Sequence, residues 1–424
     1  MIGTILILVF LGILTLGVPI SMSMGISSAI SMWFGNYNLS QIVVLVQKGI
    51  SNYALISIVY FVFAANIMNA GGITRRIFNF CESLVGWMYG GLAQVNVLAS
   101  VVFAGISGSS SADAAGLGLM EITAMKEKGY DLGWSTSITL ASSLLGPIIP
   151  PSIAFITYAM LAEVSARDMF IAGIIPGIAI AIILMIMNNV IARSGKKACP
   201  APTPFKPREV LRTFKDGFFA LLAPAILLAS IFSGVITASE SGVIAVIYSL
   251  FAAAIYKELT WKNFVKSLYD TMITSSIIML LVGFGTVIGW VLTIERIPQA
   301  MTAYILSITN NKIILLLLIN LLLLIMGCFL DNTTMRLISV PLLLPLIDTL
   351  GISRIHFGVF HTLNCLIGTC TPPVGVGLMI MATITQQKFA KVVRDFIPFY
   401  IPLIVSLIML TFLPQISTWL PSIV

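Results

Sequence analysis

A polar motif rich in glycine and proline occurs twice in a chain that is otherwise strongly apolar. The segment GISGSSSAD begins at Gly105 and precedes GPIIPP at 146–151, whereas CFLDNTTM follows Gly327 and precedes GTCTPP at 368–373. An offset of 222 residues carries Gly105 to Gly327 and the first Pro-Pro pair to the second. Because glycines, prolines and a polar cluster keep one register, we interpret the two segments as an internal duplication.

The composition indicates a protein embedded in a lipid bilayer. Of the 424 residues, 58% are hydrophobic and 9% are charged, whereas a soluble domain carries about 25% charged residues. We expect the apolar residues 1–20, which lack the features of a cleavable signal, to form the first spanning helix. The net charge of +7 is attributed to basic loops rather than to nucleic-acid binding, and no phosphate-binding motif indicates a nucleotide. The five cysteines lack the spacing of a metal site or a disulfide framework.

Apolar segments of about 20 residues, the length that spans a bilayer, divide the chain into two repeats, 1–192 and 216–424. The basic, proline-rich segment 193–215 joins them, and we predict a non-helical linker on the cytoplasmic side. Five crossings per repeat would then invert one repeat relative to the other and leave both termini on the outer side. We place the spanning helices at roughly 2–22, 24–38, 53–71, 134–163 and 169–192, and at roughly 217–236, 239–256, 270–294, 355–386 and 396–420.

Each repeated motif predicts a re-entrant helical hairpin followed by a broken helix. The segments 91–125 and 312–350 carry their polar residues in the middle, at the depth where lipid penalises them, so we expect buried hairpin tips. Glycine and proline interrupt the helices at 134–163 and 355–386. The predicted fold is therefore an all-α polytopic membrane protein with two inverted repeats. Amphipathic stretches at 78–89 and 298–307 either hold a mobile domain or simply pack at the surface.

Broken helices near the middle of the bilayer predict ion binding. The carbonyl ends of half-helices attract cations, and inverted repeats with such breaks are typical of secondary transporters. We expect one Na⁺ site per repeat, although any single hydroxyl in these sets has a competing interpretation, a hydrogen bond to its own helix. The first set is Gly105, Ser107, Ser109, Ser110, Gly146, Ile149 and Pro150, and the second is Gly327, Asp331, Asn332, Thr333, Gly368, Thr371 and Pro372.

Three carboxylates near these segments have more than one interpretation. Asp331, at a hairpin tip inside the membrane, is functional by default: it binds substrate or cation, or else forms a structural ion pair with Arg336. Asp113 lies further along its helix and caps or pairs. Glu240, in TASESG between two spanning segments, faces either the substrate cavity or the outer surface.

At these residues the chain resembles the large membrane subunit of tripartite ATP-independent periplasmic (TRAP) transporters. The resemblance rests on GISGSSSADAAGLG, GPIIPPS, LDNTTM and TPPVGVGL and extends over the full length. It implies uptake of an organic acid driven by two or more Na⁺ ions, without nucleotide, in a bacterial inner membrane. It also implies an elevator-type transport domain that moves against a scaffold, a small four-helix membrane subunit as a separate chain, and a soluble periplasmic substrate-binding protein.

The same resemblance implies a substrate site between the hairpin tips. The substrate would lie near Ser109, Ser110, Asp331, Asn332 and Thr333, with Glu240 as a further candidate. The TPPVGVGLM segment and the aspartate at the second tip look closer to sialic-acid members than to dicarboxylate members. We therefore favour N-acetylneuraminate among the organic acids.

Two other functions fit part of the sequence. A stand-alone Na⁺/dicarboxylate symporter would have the same repeats and hairpins without needing a binding protein. A rhomboid-like intramembrane serine protease would use the GISG segment, with Ser107 as nucleophile and His361 as the base that such chemistry requires. A protease leaves the duplication unexplained, so we predict a transporter that is not an enzyme.

Overall fold

The computed structural model describes residues 2–202, 204–234, 236–309 and 311–423, with the backbone alone described at 106, 107, 111, 112, 115 and 308. Across these ranges the chain forms α-helices, one short 3₁₀ helix (Ile397–Phe399) and no β-strand. The predicted all-helical class is therefore confirmed.

The first repeat has a helix at each predicted apolar segment and one that was not predicted, but the predicted spans 2–22 and 24–38 are replaced by the shorter helices α1 and α2. The first hairpin comprises α6, α7 and α8, and residues 144–152 interrupt α9 and α10. The unpredicted helix is α3, which has 11 residues and is amphipathic. The helices are α1 (Ile2–Thr15), α2 (Ile20–Phe34), α3 (Ser40–Ile50), α4 (Tyr53–Ala70), α5 (Ile73–Val85), α6 (Gly91–Ser107), α7 (Ser110–Ala115), α8 (Leu117–Glu127), α9 (Leu132–Ser143), α10 (Ile153–Ala162) and α11 (Ala166–Arg193).

The linker and the second repeat contain twelve further helices among the described residues. The second hairpin comprises α17 and α18, and residues 370–375 interrupt α19 and α20. The helices are α12 (Pro207–Asp216), α13 (Phe218–Phe232), α14 (Ala238–Tyr256), α15 (Trp261–Ile294), α16 (Ile297–Ile308), α17 (Lys312–Gly327), α18 (Asn332–Thr349), α19 (Arg354–Thr369), α20 (Val376–Thr385), α21 (Phe389–Phe396), α22 (Tyr400–Phe412) and α23 (Gln415–Thr418).

The linker is not wholly non-helical, so that prediction was wrong for its second part. Pro207 occupies the first turn of α12, where a missing N–H costs nothing, and the proline-rich stretch ends there. The helix packs on α5, where Ser83 Oγ and Thr213 Oγ1 lie 2.7 Å apart. Lys197, earlier in the linker, is 2.9 Å from Asp131 Oδ1 at the start of α9. Burial opposes ionisation of Asp131, but the Lys197 ammonium and the Trp134 N–H lower the pKa of Asp131 below its usual value.

The duplication extends from the motif to the whole order of elements. The 222-residue offset relates α4 to α15, α6 to α17, α9 to α19 and α10 to α20. Both Pro-Pro pairs have cis peptide bonds. The contacts also correspond: α10 packs on α18 in the opposite repeat, and the tip helix α7 packs on α20. Each repeat thus supplies a hairpin and a broken helix, and the tip of each hairpin touches the broken helix of the other repeat.

Some of the described helices are long and apolar enough to span a bilayer. Helices α4, α11, α14 and α15, and the run Phe389–Phe412, are long and apolar enough to cross a membrane. If α12 and α13 are counted as one span, bent by 71°, they make a sixth. The hairpin helix α17 has 16 residues, about 24 Å at 1.5 Å per residue, which is less than the bilayer core of about 30 Å. Helices α1 and α2 are shorter still, with 14 and 15 residues, and the hairpin helix α18 has 18, so length alone does not distinguish the hairpins.

The two halves pack differently where a hairpin meets the first helix of a repeat. A Cβ atom on Gly105 in α6 would lie 2.9 Å from Pro224 Cβ in α13, so these two helices are in close contact. The corresponding place between α17 and α1 is an apolar cleft of about 820 Å³, with Gly3 and Met326 in its lining. The two repeats therefore have the same order of elements but differ in their packing at this contact.

Substitution of Gly368 by alanine is expected to destabilise the second repeat. A Cβ on Gly368 would lie 2.6 Å from Gly327 Cα, and a backbone atom cannot move aside as a flexible side chain would. We expect Gly368→Ala to lower the free energy of unfolding by about 1–3 kcal/mol, measured by thermal unfolding of the purified protein in detergent. The control is Gly12→Ala on α1, where a Cβ meets nothing within 4 Å. Equal melting temperatures for the two variants would contradict the close packing.

Candidate functional site

A cavity with a cluster of polar groups in a mostly apolar wall lies where the two hairpin tips, the two broken helices and the paired helices α4 and α15 converge. Its volume is about 470 Å³. Equivalent elements of the two repeats face each other across it, so the cavity lies near the pseudo-two-fold axis that relates the repeats. The lining includes Gly108, Ser109, Ser110, Ala114 and Pro147 from the first repeat and Asp331, Asn332, Thr333, Arg336, Thr369 and Gly377 from the second.

The structure brings together the residues that sequence analysis assigned to the substrate, with one exception. Ser109 and Ser110 lie on one side of the cavity, and Asp331, Asn332 and Thr333 on the other. All five are partly exposed. The exception is Glu240, which lies outside the lining.

The residues assigned to cation binding divide into two groups. Ser109, Ser110, Asp331, Asn332 and Thr333 line the cavity, whereas the others whose side chains are described are absent from its lining. The side chain of Ser107 lies outside the described residues. The group absent from the lining is Gly105, Gly146, Ile149, Pro150, Gly327, Gly368, Thr371 and Pro372.

In the first repeat the hairpin tip is tied to the break by backbone contacts and by a carboxylate. Ile153 N donates to Gly108 O at 3.3 Å, and Gly108 has the left-handed φ of 61° that glycine tolerates. A Cβ on Gly146 would lie 2.3 Å from Asp113 Oδ2. The buried Asp113 carboxylate therefore lies against the broken helix. The sequence indicated only a capping or pairing role for Asp113, because its position against the break depends on tertiary packing.

In the second repeat the tip and the break are packed even more closely. Gly327, the last residue of α17, touches Gly368 near the end of α19. Val374 N donates to Cys328 O at 3.3 Å. The Thr371 hydroxyl donates to Ile367 O at 2.8 Å, which is the bond to its own helix that was the competing interpretation. Two helix C-termini thus meet here, and the negative ends of their helix dipoles make the region attractive to a cation.

Asp331 caps the N-terminus of α18 and forms no ion pair with Arg336 among the described contacts. Its Oδ2 accepts from Thr333 N at 2.9 Å and Thr334 N at 3.3 Å. Its Oδ1 accepts from the Thr334 hydroxyl. A spacing of five residues does not place two side chains on one helix face, whereas three or four does. The proposed structural ion pair with Arg336 was therefore wrong.

Glu240 serves a local structural role that the sequence already signalled. Its Oε2 accepts from Thr237 N at 2.6 Å, and its own N–H donates to Thr237 Oγ1 at 3.3 Å. This is a capping box at the start of α14, and the T-x-x-E spacing of TASE is its sequence mark. The exposed Glu240 is not a cavity residue, which corrects its assignment to the substrate.

Several polar residues of the cavity were missed because they lie on ordinary spanning helices. Asn66 and Asn69 on α4 and Thr274 on α15 also line the cavity. Asn66 Nδ2 donates to Thr271 Oγ1 at 2.9 Å and so joins α4 to α15. The available signal was two asparagines, three residues apart, in an apolar span.

The histidine required by the protease hypothesis is engaged elsewhere. His361 Nε2 lies 2.7 Å from Ser339 Oγ, and the ring is fully buried in α19. The arrangement around His361 is a helix-to-helix contact between α18 and α19.

Comparison with known proteins assigns the chain to a family. The family model described as "Tripartite ATP-independent periplasmic transporter, DctM component" matches residues 7–416. The chain belongs to this family of TRAP transporter large components. The resemblance stated from the repeated motifs is thereby confirmed, and the chain is a multi-pass membrane protein.

Relatives of this TRAP large component include proteins named for different substrates. It is 36% identical to the sialic acid TRAP transporter large permease protein SiaM of Vibrio cholerae, over 98% of this chain and 97% of that one. It is 31% identical to the C4-dicarboxylate TRAP transporter large permease protein DctM of the same organism, over 99% of this chain and 97% of that one. The fold resembles the crystal structure of the Alcanivorax borkumensis YdaH transporter, with a TM-score of 0.62 at 13% identity and 90% coverage of each chain.

Replacing Asp331 should separate its capping role from its charge. Asp331→Ala removes the cap of α18 and is expected to lower the free energy of unfolding by about 1 kcal/mol. Asp331→Asn keeps a good capping side chain, so its stability should stay close to that of the unmodified protein. Thermal unfolding in detergent measures both. Equal destabilisation by Asn and Ala would show that the cap contributes little.

Proposed function

We propose that this TRAP large component carries out Na⁺-coupled uptake of an organic acid. The observation that carries the proposal is the shared cavity, which both hairpin tips and the paired helices α4 and α15 line. A solute there contacts both repeats at once, which suits alternating access better than an open pore. The hairpins and broken helices would move as a transport domain against the remaining helices, in an elevator-type exchange.

The substrate proposed is an organic acid, with N-acetylneuraminate favoured. The relative named for sialic acid is 36% identical and the one named for C4-dicarboxylates 31%, so relatives of both kinds lie at similar distance. The cavity offers hydroxyls and amides at Ser109, Ser110, Asn332 and Thr333, which match a polyhydroxylated acid. The Asp331 carboxylate would accept hydroxyl or amide protons of such a substrate.

Each tip-to-break contact has the oxygen-rich character that suits Na⁺. In the first repeat the carbonyl ends of α6 and α9 converge near Gly105 and Gly146, and Asp113 adds a carboxylate beside Gly146. In the second repeat the ends of α17 and α19 meet at Gly327 and Gly368. Na⁺ bound there would neutralise helix ends that otherwise repel each other. Two or more Na⁺ ions would thereby stabilise closed tips and couple their gradient to substrate binding.

The proposal includes partner proteins and a membrane. A separate small membrane subunit with four helices and a soluble periplasmic binding protein would complete the transporter. The location would be the bacterial inner membrane, with the basic linker cytoplasmic and both termini periplasmic. The number of basic residues between Arg193 and Lys215 supports this orientation because cytoplasmic loops are enriched in lysine and arginine.

Reconstituted uptake tests the proposal. Proteoliposomes holding the large and small subunits should accumulate N-acetylneuraminate or another acid of a labelled panel when the binding protein and an inward Na⁺ gradient are present. Asp331→Asn, which keeps the cap, and Ser109→Ala should each abolish Na⁺-dependent uptake. The matched control is Glu240→Gln, a carboxylate change outside the cavity, which should transport normally. Normal uptake by both cavity variants would defeat the site assignment.

Omission of the binding protein separates the proposal from the stand-alone symporter. The large and small subunits alone should give no uptake above that of empty vesicles. Full uptake without the binding protein would favour the Na⁺/dicarboxylate symporter.

A further inference from the structure

The charged residues in the described lining of the cavity all come from one repeat. They are Asp331 and Arg336, both on the second hairpin. The 222-residue offset relates them to Ser109 and Ala114, which also line the cavity and are uncharged. Arg336 is therefore the one cationic side chain in the described lining. The corresponding residue of the first repeat, Ala114, has no charge, so the shared fold does not depend on a charge at this position.

The Arg336 guanidinium is buried and only partly satisfied. The residue is 1% exposed. Its Nη2 donates to Asn332 Oδ1, one turn earlier on α18. Its Nε is buried and has no hydrogen-bond partner. A guanidinium carries five N–H donors, and a buried charge is costly unless it is paired and hydrogen-bonded.

No carboxylate forms a salt bridge with Arg336 among the described residues. The Asp331 oxygens accept hydrogen bonds from the N-terminus of α18 and none from Arg336. The other titratable groups that act on Arg336, His361 and Cys365, are not carboxylates. His361 is bound to Ser339. The guanidinium thus has a desolvated positive charge, an open donor and access to the cavity, but no direct anionic partner.

We propose that Arg336 binds the carboxylate of the transported acid. This inference rests on the proposed function of organic-acid uptake and assigns the residue that recognises the acid group. The planar fork of an arginine matches a carboxylate with two parallel hydrogen bonds, which a lysine cannot form. Asn332 is then a positioning residue, since its amide oxygen holds the guanidinium. The acid group of the substrate points toward α18, and its neutral end points toward Ser109 and Ser110.

Binding of an acid and its methyl ester tests this assignment. The complex of large and small subunits is purified in detergent with Na⁺, and binding of N-acetylneuraminate, succinate and their methyl esters is measured by calorimetry. The unmodified complex should bind the acid at least about tenfold more tightly than the ester. Arg336→Gln should weaken binding of the acid by roughly 10- to 100-fold and leave binding of the ester unchanged. The control Arg354→Gln alters an arginine paired with Asp348 outside the cavity and should bind as the unmodified complex does.

Three other outcomes would contradict the assignment of Arg336 to the acid group. Equal losses for acid and ester in Arg336→Gln would mean that Arg336 only supports the structure. Recovery of the acid-to-ester preference in the Asp331→Asn, Arg336→Gln double variant would mean that Arg336 only offsets the charge of Asp331. If the unmodified complex binds no acid and also fails the uptake assay, the proposed function fails and this inference fails with it.

A folding control keeps the test decisive. The Na⁺-dependent rise in melting temperature should persist in Arg336→Gln, because the break residues remain in place. If that variant does not fold, Arg336→Lys replaces it and keeps the charge without the fork. Its affinity for the acid should fall by about tenfold, with binding of the ester again unchanged. Unchanged acid affinity in the lysine variant overturns the assignment of a two-bond contact.

Discussion

The structure depends on one constraint: inside a bilayer every backbone N–H and C=O must find a partner within the protein. Interrupted helices violate that condition unless their ends meet other polar groups. The chain satisfies it by bringing hairpin tips and helix breaks together, with hydrogen bonds from Ile153 to Gly108 and from Val374 to Cys328. The same arrangement brings the negative ends of two helix dipoles together at Gly327 and Gly368.

The two repeats have the same architecture but different chemistry. The first supplies hydroxyls at its tip and a carboxylate, Asp113, behind it. The second supplies Asp331 and Arg336 at its tip and a tight glycine contact behind it. Backbone geometry is thus conserved between the halves by the duplication, whereas side-chain charge differs between them. This difference in charge fits the substrate proposed above, an acid with one charged end.

The duplicated motif predicted the features set by the backbone. Glycine and proline positions indicated both breaks, and the polar tips indicated which residues would meet, because these follow from local sequence and the bilayer constraint. Features set by tertiary packing were not predictable. The helix α3 is short and amphipathic, so a search for long apolar segments passes over it. Arg336 bonds Asn332 rather than Asp331 because of the way α18 begins. Asn66 and Asn69 reach the cavity because of the orientation of α4 about its axis.

The broken symmetry between α6 and α17 has a consequence of its own. At Gly105 the first hairpin presses against Pro224, while its counterpart near Gly3 leaves a cleft of about 820 Å³. Because the two halves have the same order of helices, the packing seen in one half is geometrically available to the other. Under the proposed alternating access, exchanging the packing of the two halves at this contact would give a second arrangement of the same fold, in which α17 rests on α1 and α6 stands away from α13.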